Sequence, residues 1–314
     1  MPKSRLHFAI TLFVALTLLA GCARAPGGAT DDPTRRKLRI TTTVGMITDI
    51  VRNVGGERVD VTGLMAPGVD PHLYKPSVGD VFKLDSADVI FYGGLHLEGR
   101  MAELFEKMNE SGRHAVAVTD EIDPTLLRKP AEFEGAYDPH VWFDVVLWQY
   151  AARRVGKELI ALDPTSRDHY ERNTAAYLAK LDALNTYIHA EIDSIPPKAR
   201  VLITAHDAFG YFGQRYGLEV RGIQGASTAS EASANSVREL AQFITDRQIK
   251  AIFVESSVPR ATIEAVQAAV RSRGWNVVIG GELFADAMGA DGTPEGAYVG
   301  MVKHNVDTIV SALK

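Results

Sequence analysis

An uninterrupted helical segment in the middle of the chain most constrains the fold. Asp163-Pro164 is typical of a helix start, with Asp as the N-cap and Pro at the first helical position. No Gly or Pro then appears until Pro196-Pro197, and apolar side chains recur at helical spacing from Tyr170 to Ile192. A helix of this length would extend about 45 Å at 1.5 Å per residue, which is too long for a crossover within one small lobe. The sequence therefore predicts a rigid connecting helix over 163–195 between two lobes.

Strand-like and helix-like segments alternate on both sides of this connector. Such alternation is the signature of a mostly parallel α/β architecture. The strand candidates are 38–44, 58–64, 89–92, 115–119, 200–204, 219–223, 251–255 and 275–280. The helix candidates include 47–54, 98–109, 236–247, 261–273 and 298–313. We therefore expect an N-terminal lobe over 38–162 and a C-terminal lobe over 196–314, each with a mostly parallel four-stranded sheet flanked by helices.

The first residues have the pattern of a lipoprotein signal. Lys3 and Arg5 precede an apolar run over 6–19, as in the n-region and h-region of a signal peptide. Leu19-Ala20-Gly21-Cys22 then resembles the lipobox of bacterial lipoproteins, in which the Cys carries the lipid. We expect a signal peptide over 1–21, a lipid on Cys22 and a flexible tether over 22–37 that is rich in Gly, Pro and Ala. An ordinary signal peptide with a chance Cys, or an uncleaved membrane anchor, is the alternative.

The composition argues against several classes of protein. Cys22 is the only Cys, so with Cys22 lipidated there is none for a disulfide, a cysteine zinc site or a cysteine nucleophile. The net charge is −5 and there is no long basic run, which argues against nucleic acid as a partner. After the signal, no apolar run is long enough to cross a bilayer.

The tripeptide Asp-Pro-His occurs twice, at 70–72 and 138–140, although the chain has only 9 His and 14 Pro. His72 and His140 each follow a strand candidate of the N-terminal lobe, and His206 and Asp286 follow strand candidates of the C-terminal lobe. Ligands of α/β proteins bind outside the carboxyl ends of strands, often in a cleft between lobes. We therefore expect these four side chains to converge in the interlobe cleft.

Three imidazoles and one carboxylate make a complete ligand set for a divalent transition metal. Nitrogen-rich ligation suits zinc, whereas manganese usually takes more oxygen. The prolines restrict the ligand loops, so these loops lose little entropy on binding. On the other hand, a single loop His is more often a surface or hydrogen-bonding residue, and no two of the four residues are close in sequence. From the residues alone, a metal site and four unrelated side chains both remain open.

Four further residues lie near the predicted site. His96 lies close to a strand end and could contact a ligand without being a ligand itself. Glu255, also at a strand end, could orient a ligand, although a local structural role is the favoured interpretation. Asp144 and Asp207 could each accept a hydrogen bond from a metal-bound imidazole, or cap the helix that begins beside it.

The motifs together resemble those of the metal-binding lipoproteins of bacterial zinc and manganese ABC transporters. The matching segments are the lipobox, DPHLYKPS at 70–77, DPHVWFD at 138–144, AHDAFGY at 205–211 and DAMG at 286–289. They occur in the order of that family and cover essentially the whole mature chain. The resemblance implies two α/β lobes joined by one long helix, with a metal held between them by His72, His140, His206 and Asp286.

The resemblance also implies a function. A member of this family is a lipid-anchored extracytoplasmic receptor, not an enzyme, that delivers a metal to a permease powered by a cytoplasmic ATPase. We expect a monomer. His206 stands where many manganese receptors of the family carry Glu, and the stretch 129–137 lacks the His-rich loop of many zinc-specific members. Zinc is therefore the first expectation and manganese the second.

Three alternatives to a metal receptor would use the same residues or the same fold. A secreted zinc-dependent hydrolase would need an open coordination position and a general base near the metal. A haem or iron-chelate receptor of this fold would need a wide cleft with aromatic or arginine contacts. An additional role as an adhesin is left open by the sequence.

Overall fold

The part of the chain that the computed structural model describes comprises residues 36–130, 133 and 135–314. The predicted signal peptide over 1–21, Cys22 and the tether up to residue 35 lie outside the described residues. The stretch 129–137, used above to compare metal receptors, is described except at 131, 132 and 134.

The apolar, β-branched segments of the N-terminal lobe pair as one parallel sheet. Its strand order is β2-β1-β3-β4, and each neighbouring pair is parallel. Parallel sheets are covered on both faces, which explains why the inner strand β3 is a continuous apolar run, whereas the edge strand β2 carries exposed polar residues. The strands are β1 (Leu38–Thr42), β2 (Val59–Gly63), β3 (Val89–Tyr92) and β4 (Ala115–Ala117). The helices are α1 (Gly45–Gly55), α2 (Val78–Ser86), α3 (Ala102–Glu110) and α4 (Val145–Leu162).

The predicted connecting helix is present as α5 (Arg167–Asp193), after a 3₁₀ turn over Pro164–Ser166. Its 27 residues correspond to a length of about 40 Å. One face of α5 is buried, through Tyr170, Tyr177, Leu181, Leu184, Ile188 and Ile192. The helix packs against α1 and α4 and also against the last helix of the chain. Both lobes therefore share α5 as a support.

The C-terminal lobe repeats the α/β plan, but its strands form two parallel two-stranded sheets and not the expected four-stranded sheet. β5 pairs with β6 and β7 pairs with β8, both in parallel, and β5 and β7 lie side by side. The strands are β5 (Val201–His206), β6 (Glu219–Gln224), β7 (Ala251–Glu255) and β8 (Val278–Leu283). The helices are α6 (Gly210–Tyr216), α7 (Ala234–Arg247), α8 (Ala261–Arg271) and α9 (Tyr298–Leu313). The predicted fold, two α/β lobes joined by one long helix, is confirmed.

The last strand lies further along the chain than predicted. We expected 275–280, but β8 continues through Gly280 and Gly281 to Leu283. A Cβ atom at Gly280 would lie 2.7 Å from the Cβ of Ala312 in α9. Gly280 therefore permits the close approach of α9 and does not end the strand. As a result, Asp286 follows the end of β8 more closely than the sequence suggested.

The start of the connecting helix also differs in detail. Asp163 was expected to cap it, but the Asp163 side chain makes no capping hydrogen bond. Its carboxylate instead lies 3.8 Å from the guanidinium of Arg58 and accepts a hydrogen bond from the Tyr170 hydroxyl at 3.3 Å. Asp163 thus connects the helix start to the N-terminal lobe.

Two hydrophobic cores stabilise the described residues. The larger core runs through the N-terminal lobe and α5 and continues into α9. The smaller core lies within the C-terminal lobe, where β5 and β7 meet α7 and α8. Residues Lys37–Lys314 form one compact unit, as expected when the larger core includes side chains of both lobes. Among the described residues, no helix combines the length and the apolar character needed to cross a membrane.

Leu181 provides a test of the buried face of α5, because it is fully buried in the larger core. We expect Leu181→Ala to lower the free energy of unfolding by about 2–5 kcal/mol, since it removes buried methyl groups and leaves a cavity. Chemical denaturation followed by circular dichroism measures this loss. Leu178→Ala is the matched control, because Leu178 lies on the same helix but is only half-buried. Equal losses in the two variants would contradict the assigned face.

Candidate metal site

The four candidate ligands come from four different connections in the two lobes. His72 lies between β2 and α2, and His140 lies between β4 and α4. His206 is the last residue of β5, and Asp286 lies between β8 and α9. All four side chains are buried, and one ligand atom from each lies within 4.8 Å of the others. The structure therefore brings together the four residues that the sequence singled out.

Several distances between the donor atoms match the edge length of a small coordination tetrahedron. Asp286 Oδ2 lies 3.4 Å from His72 Nε2 and 3.2 Å from His206 Nε2. Asp286 Oδ1 lies 3.4 Å from His140 Nε2, and the Nε2 atoms of His72 and His140 are 3.3 Å apart. Zinc–nitrogen distances of about 2.0–2.1 Å correspond to tetrahedral edges of about 3.3 Å. An ion of the size of Zn²⁺ fits this spacing.

Three of the donor atoms are buried without a well-formed hydrogen bond. They are Oδ1 and Oδ2 of Asp286 and Nε2 of His206. Their polar contacts are the approaches of 3.2–3.4 Å among the four side chains. Buried polar atoms without a hydrogen bond destabilise the folded state. A cation bound between them would satisfy all three atoms at once.

A buried carboxylate orients His140. Asp138, in the second Asp-Pro-His, accepts hydrogen bonds through Oδ1 from the backbone N–H of His140 at 3.0 Å and from its ring Nδ1 at 2.8 Å. The other oxygen of Asp138 accepts a hydrogen bond from the Arg128 guanidinium at 2.8 Å. With Nδ1 donating to Asp138, Nε2 is the nitrogen that faces the site and could bind a metal once it has lost its proton. In the sequence this Asp is recognisable only as part of a stiff loop, and nothing there indicates that it holds the ring of His140.

His206 is oriented in the same way by Glu255, at the end of the neighbouring strand β7. Glu255 Oε1 accepts from the backbone N–H of His206 at 2.9 Å, and Oε2 accepts from its Nδ1 at 2.5 Å. The favoured interpretation of Glu255, a local structural role, was therefore wrong. Glu255 orients a candidate ligand, which was the other option. No spacing signal in the sequence separates these options, because Glu255 and His206 are 49 residues apart.

The loop that carries His72 is fixed at both ends. Asp70 Oδ1 accepts from the backbone N–H of His72 at 2.8 Å, while its Oδ2 accepts from the hydroxyl of Thr228 in the C-terminal lobe at 2.5 Å. On the other side, the Tyr74 hydroxyl donates to Asp80 at 2.8 Å. The two Asp-Pro-His copies thus share the backbone hydrogen bond, but the first Asp also contacts the other lobe.

Trp142 connects candidate ligands of the two lobes. Its ring lies edge-on to the ring of His140, with the centroids 5.2 Å apart. Its indole N–H donates to the backbone carbonyl of Ala285 at 3.1 Å, next to Asp286. The carbonyl of Trp142 itself accepts a hydrogen bond from the Tyr298 hydroxyl at 2.5 Å.

The electrostatics of the cluster favour charged groups in the absence of metal. Burial by itself would lower the pKa of His140, but hydrogen bonds to Asp138 and Asp286 raise that pKa to about 9. Burial likewise opposes the charge of His206, yet Glu255 and Asp286 raise its pKa well above the ordinary value. Burial would raise the pKa of Asp286, but His206 and His140 beside it hold that pKa well below its usual range. Without metal, protons on the imidazoles of His140 and His206 therefore balance the buried carboxylates beside them.

The remaining candidates lie outside the cluster. Asp144 caps α4 by accepting hydrogen bonds from two backbone N–H groups, and it pairs with Arg215, so the capping interpretation holds. α6 has Phe209 as its N-cap, so Asp207 does not cap it. Asp207 is not the partner of the His206 ring either, since Nδ1 of that ring bonds to Glu255. His96 is exposed and is not one of the four converging residues.

Comparison with known proteins identifies related sequences over the whole length of the chain. The model of the family described as "ZnuA: Zinc-uptake complex component A periplasmic" matches residues 40–312. The zinc-binding protein TroA of Treponema pallidum (strain Nichols) is 51% identical over 300 residues, which cover 96% of each chain. The manganese-binding lipoprotein MntA of Bacillus subtilis (strain 168) is 45% identical over 306 residues, which cover 98% of each chain. The manganese ABC transporter substrate-binding lipoprotein PsaA of Streptococcus anginosus is 30% identical over 309 residues.

A solved structure shares the fold. The periplasmic zinc binding protein TroA from Treponema pallidum superimposes with a TM-score of 0.86 at 51% sequence identity. The match covers 88% of this chain and 99% of the other. It therefore includes both lobes and the helix between them.

Glu255→Gln tests how His206 is held. Glu255 accepts hydrogen bonds with both carboxylate oxygens, whereas an amide offers only one acceptor oxygen and places N–H groups against the second donor. We expect zinc affinity to fall by about 10–100-fold, the usual effect of losing the partner of a metal-bound His. Competition with a chromophoric zinc chelator measures it. Asp144→Asn is the matched control, because this buried carboxylate caps a helix away from the ligands, and its zinc affinity should stay near wild type. A folded Glu255→Gln protein with unchanged affinity would contradict the assignment.

Metal binding should release protons. The raised pKa values of His140 and His206 mean that both imidazoles hold protons near neutral pH when metal is absent, and a metal can bind only the unprotonated nitrogens. Zinc affinity should therefore rise with pH from 6 up to about 9 and fall as the solution is acidified. Isothermal titration calorimetry at pH 7 in buffers of different ionisation enthalpy measures the number of protons released. Binding enthalpies that are the same in all buffers would contradict this expectation.

Proposed function

The chain belongs to the ZnuA family of periplasmic zinc-uptake components, and we propose that it captures a divalent transition metal outside the cytoplasmic membrane and delivers it to an ABC importer. Zinc is the first choice of metal and manganese the second. The observation that supports this most is the buried cluster of His72, His140, His206 and Asp286, whose donor atoms face one another at 3.2–3.4 Å. The ligand role of these four residues is part of the proposal.

The arrangement favours a receptor over an enzyme. Catalytic zinc sites keep a coordination position open for water or substrate, usually beside three protein ligands. Here four side chains supply a complete set, and their exposed fractions are only 0–5%. The two nearest carboxylates, Asp138 and Glu255, are bonded to the far ring nitrogens of ligands and are not placed to activate water. We therefore propose binding and release of the metal without a chemical step.

The choice of metal follows from the donor set. Three imidazole nitrogens and one carboxylate favour zinc over manganese, and a given site of nitrogen and oxygen ligands generally binds Zn²⁺ more tightly than Mn²⁺. Both oxygens of Asp286 face imidazoles, Oδ1 toward His140 and Oδ2 toward His206. A carboxylate in this position can bind through one oxygen or two, so it can add the extra oxygen ligand that manganese prefers. Related proteins named for each metal agree with a site that accepts both.

The partners and the location follow from the same assignment. We propose that lipid on Cys22 anchors the protein on the outer side of a membrane, and that a permease with a cytoplasmic ATPase receives the metal. Relatives named as lipoproteins of ABC transporters support this view. We further propose that the protein acts as a monomer.

Removal of single ligands tests the assignment. Each of His72→Ala, His140→Ala, His206→Ala and Asp286→Ala should weaken zinc binding by more than about 100-fold, beyond the usual effect of losing an outer partner. The physical reason is that each change leaves an incomplete set around the ion. Chelator competition gives the affinities, and elemental analysis of the purified mature protein gives the bound metal.

His114→Ala is the control for these variants. His114 is a half-exposed residue whose ring contacts Glu158 at 3.0 Å, so its loss should leave metal binding unchanged. Four ligand variants that bound zinc and manganese like the wild type would refute the site. Hydrolase activity of the zinc-loaded wild type that disappeared in the four variants would favour the enzyme alternative.

A further inference from the structure

Two cavities reach the metal site, each along a different ligand. One, of about 410 Å³, borders His72. The other, of about 320 Å³, borders Asp286. His140 and His206 are fully buried and line neither of these cavities. A metal ion that enters through a cavity therefore meets either His72 or Asp286 first.

The cavity beside His72 is lined by groups that can bind a cation. A second imidazole, that of the exposed residue His96, lies on its wall together with the Tyr137 ring and the side chains of Ser227 and Ser230. Among its described lining residues there is no Lys or Arg. A histidine at the surface and another at the buried end thus share one cavity.

The cavity beside Asp286 is lined differently. Arg52 contributes to its wall, and the guanidinium lies 3.5 Å from the carboxylate of Asp291. Among its described lining residues there is no imidazole, so an ion that entered here would meet no histidine before Asp286. Of the two cavities, the one beside His72 alone places a second imidazole on the way to a buried candidate ligand.

The backbone that carries His96 is unusual. Gly94, Leu95 and His96 have φ angles of 80°, 53° and 65°, so three consecutive residues are left-handed. This conformation is disfavoured for Leu and is tolerated better by His. The buried carboxylate of Glu98 fixes the turn by accepting a hydrogen bond from the N–H of Gly93 at 2.7 Å. Strained backbone held by its surroundings is found most often at functional sites.

We propose that His96 is a transient ligand on the entry path of the metal. This inference rests on the proposed function. The His96 imidazole takes the place of one water of the hydrated ion at the cavity mouth, which holds the ion close to His72 at a high effective concentration. The ion then passes to His72 and on to the other three ligands. Because His96 takes no part in the final set, it changes the rates of binding and release but not their ratio.

His96→Asn tests the proposal, because Asn tolerates the left-handed conformation but lacks the imidazole. We expect the association and dissociation rate constants for zinc to fall together by about tenfold, as when one contact is lost from a transition state. The equilibrium affinity should stay near wild type. Stopped-flow mixing of the full mature protein with zinc gives association, and transfer to excess chelator gives dissociation.

Two controls accompany this variant. His114→Asn makes the same chemical change at a surface histidine that contacts Glu158, and both rates should remain those of the wild type. Arg52→Gln changes the other cavity and should likewise leave both rates unaltered. Unchanged rates in His96→Asn would overturn the proposal. So would faster dissociation at unchanged association, since this would make His96 a ligand of the bound state. A wild-type protein that bound no zinc would refute the proposed function, and the entry path with it.

Discussion

The buried carboxylate of Asp286, placed among imidazoles of both lobes, is the interaction on which the rest of the site depends. Its two oxygens face His140 and His72 of the N-terminal lobe and His206 of the C-terminal lobe. A charge removed from water in this way destabilises the protein unless cations or protons lie beside it. Much of the surrounding structure can be understood as a means of holding three imidazoles around one carboxylate. The shared helix α5 and the continuous larger core keep the two halves of the cluster in place.

A different carboxylate contacts each of the three histidines. Asp138 binds both the backbone and the ring of His140, and Glu255 does the same for His206. Asp70 binds only the backbone of His72 and uses its second oxygen on Thr228 in the other lobe. The same tripeptide therefore serves two purposes. One copy sets the direction of a ring, and the other connects a ligand loop to the opposite lobe.

Part of the fold could be read from the sequence, because the most deeply buried strands, such as β3 and β7, appear as short apolar runs of the right length. The bounds of β3 and β7 agree with the prediction. β8 was misplaced because Gly280 looks like a strand end in the sequence, while in the structure it makes room for α9. α4, which packs against both α1 and α5, was not assigned from the sequence.

The four candidate ligands could be found because a repeated tripeptide and matching strand ends mark their positions. The carboxylates that hold the rings of the candidate ligands could not be identified in this way, since Glu255 is a single carboxylate whose partner lies on another strand. Trp142 is another residue next to the candidate ligands whose position the sequence does not indicate. It packs against the ring of His140 and bonds to the backbone beside Asp286. A rigid indole in contact with His140 and with the residue next to Asp286 couples the displacements of these two segments, so that neither moves far alone. For the proposed metal site, loss of one bond to the ion would then favour loss of the others, and release would be cooperative, with few stable partly bound states.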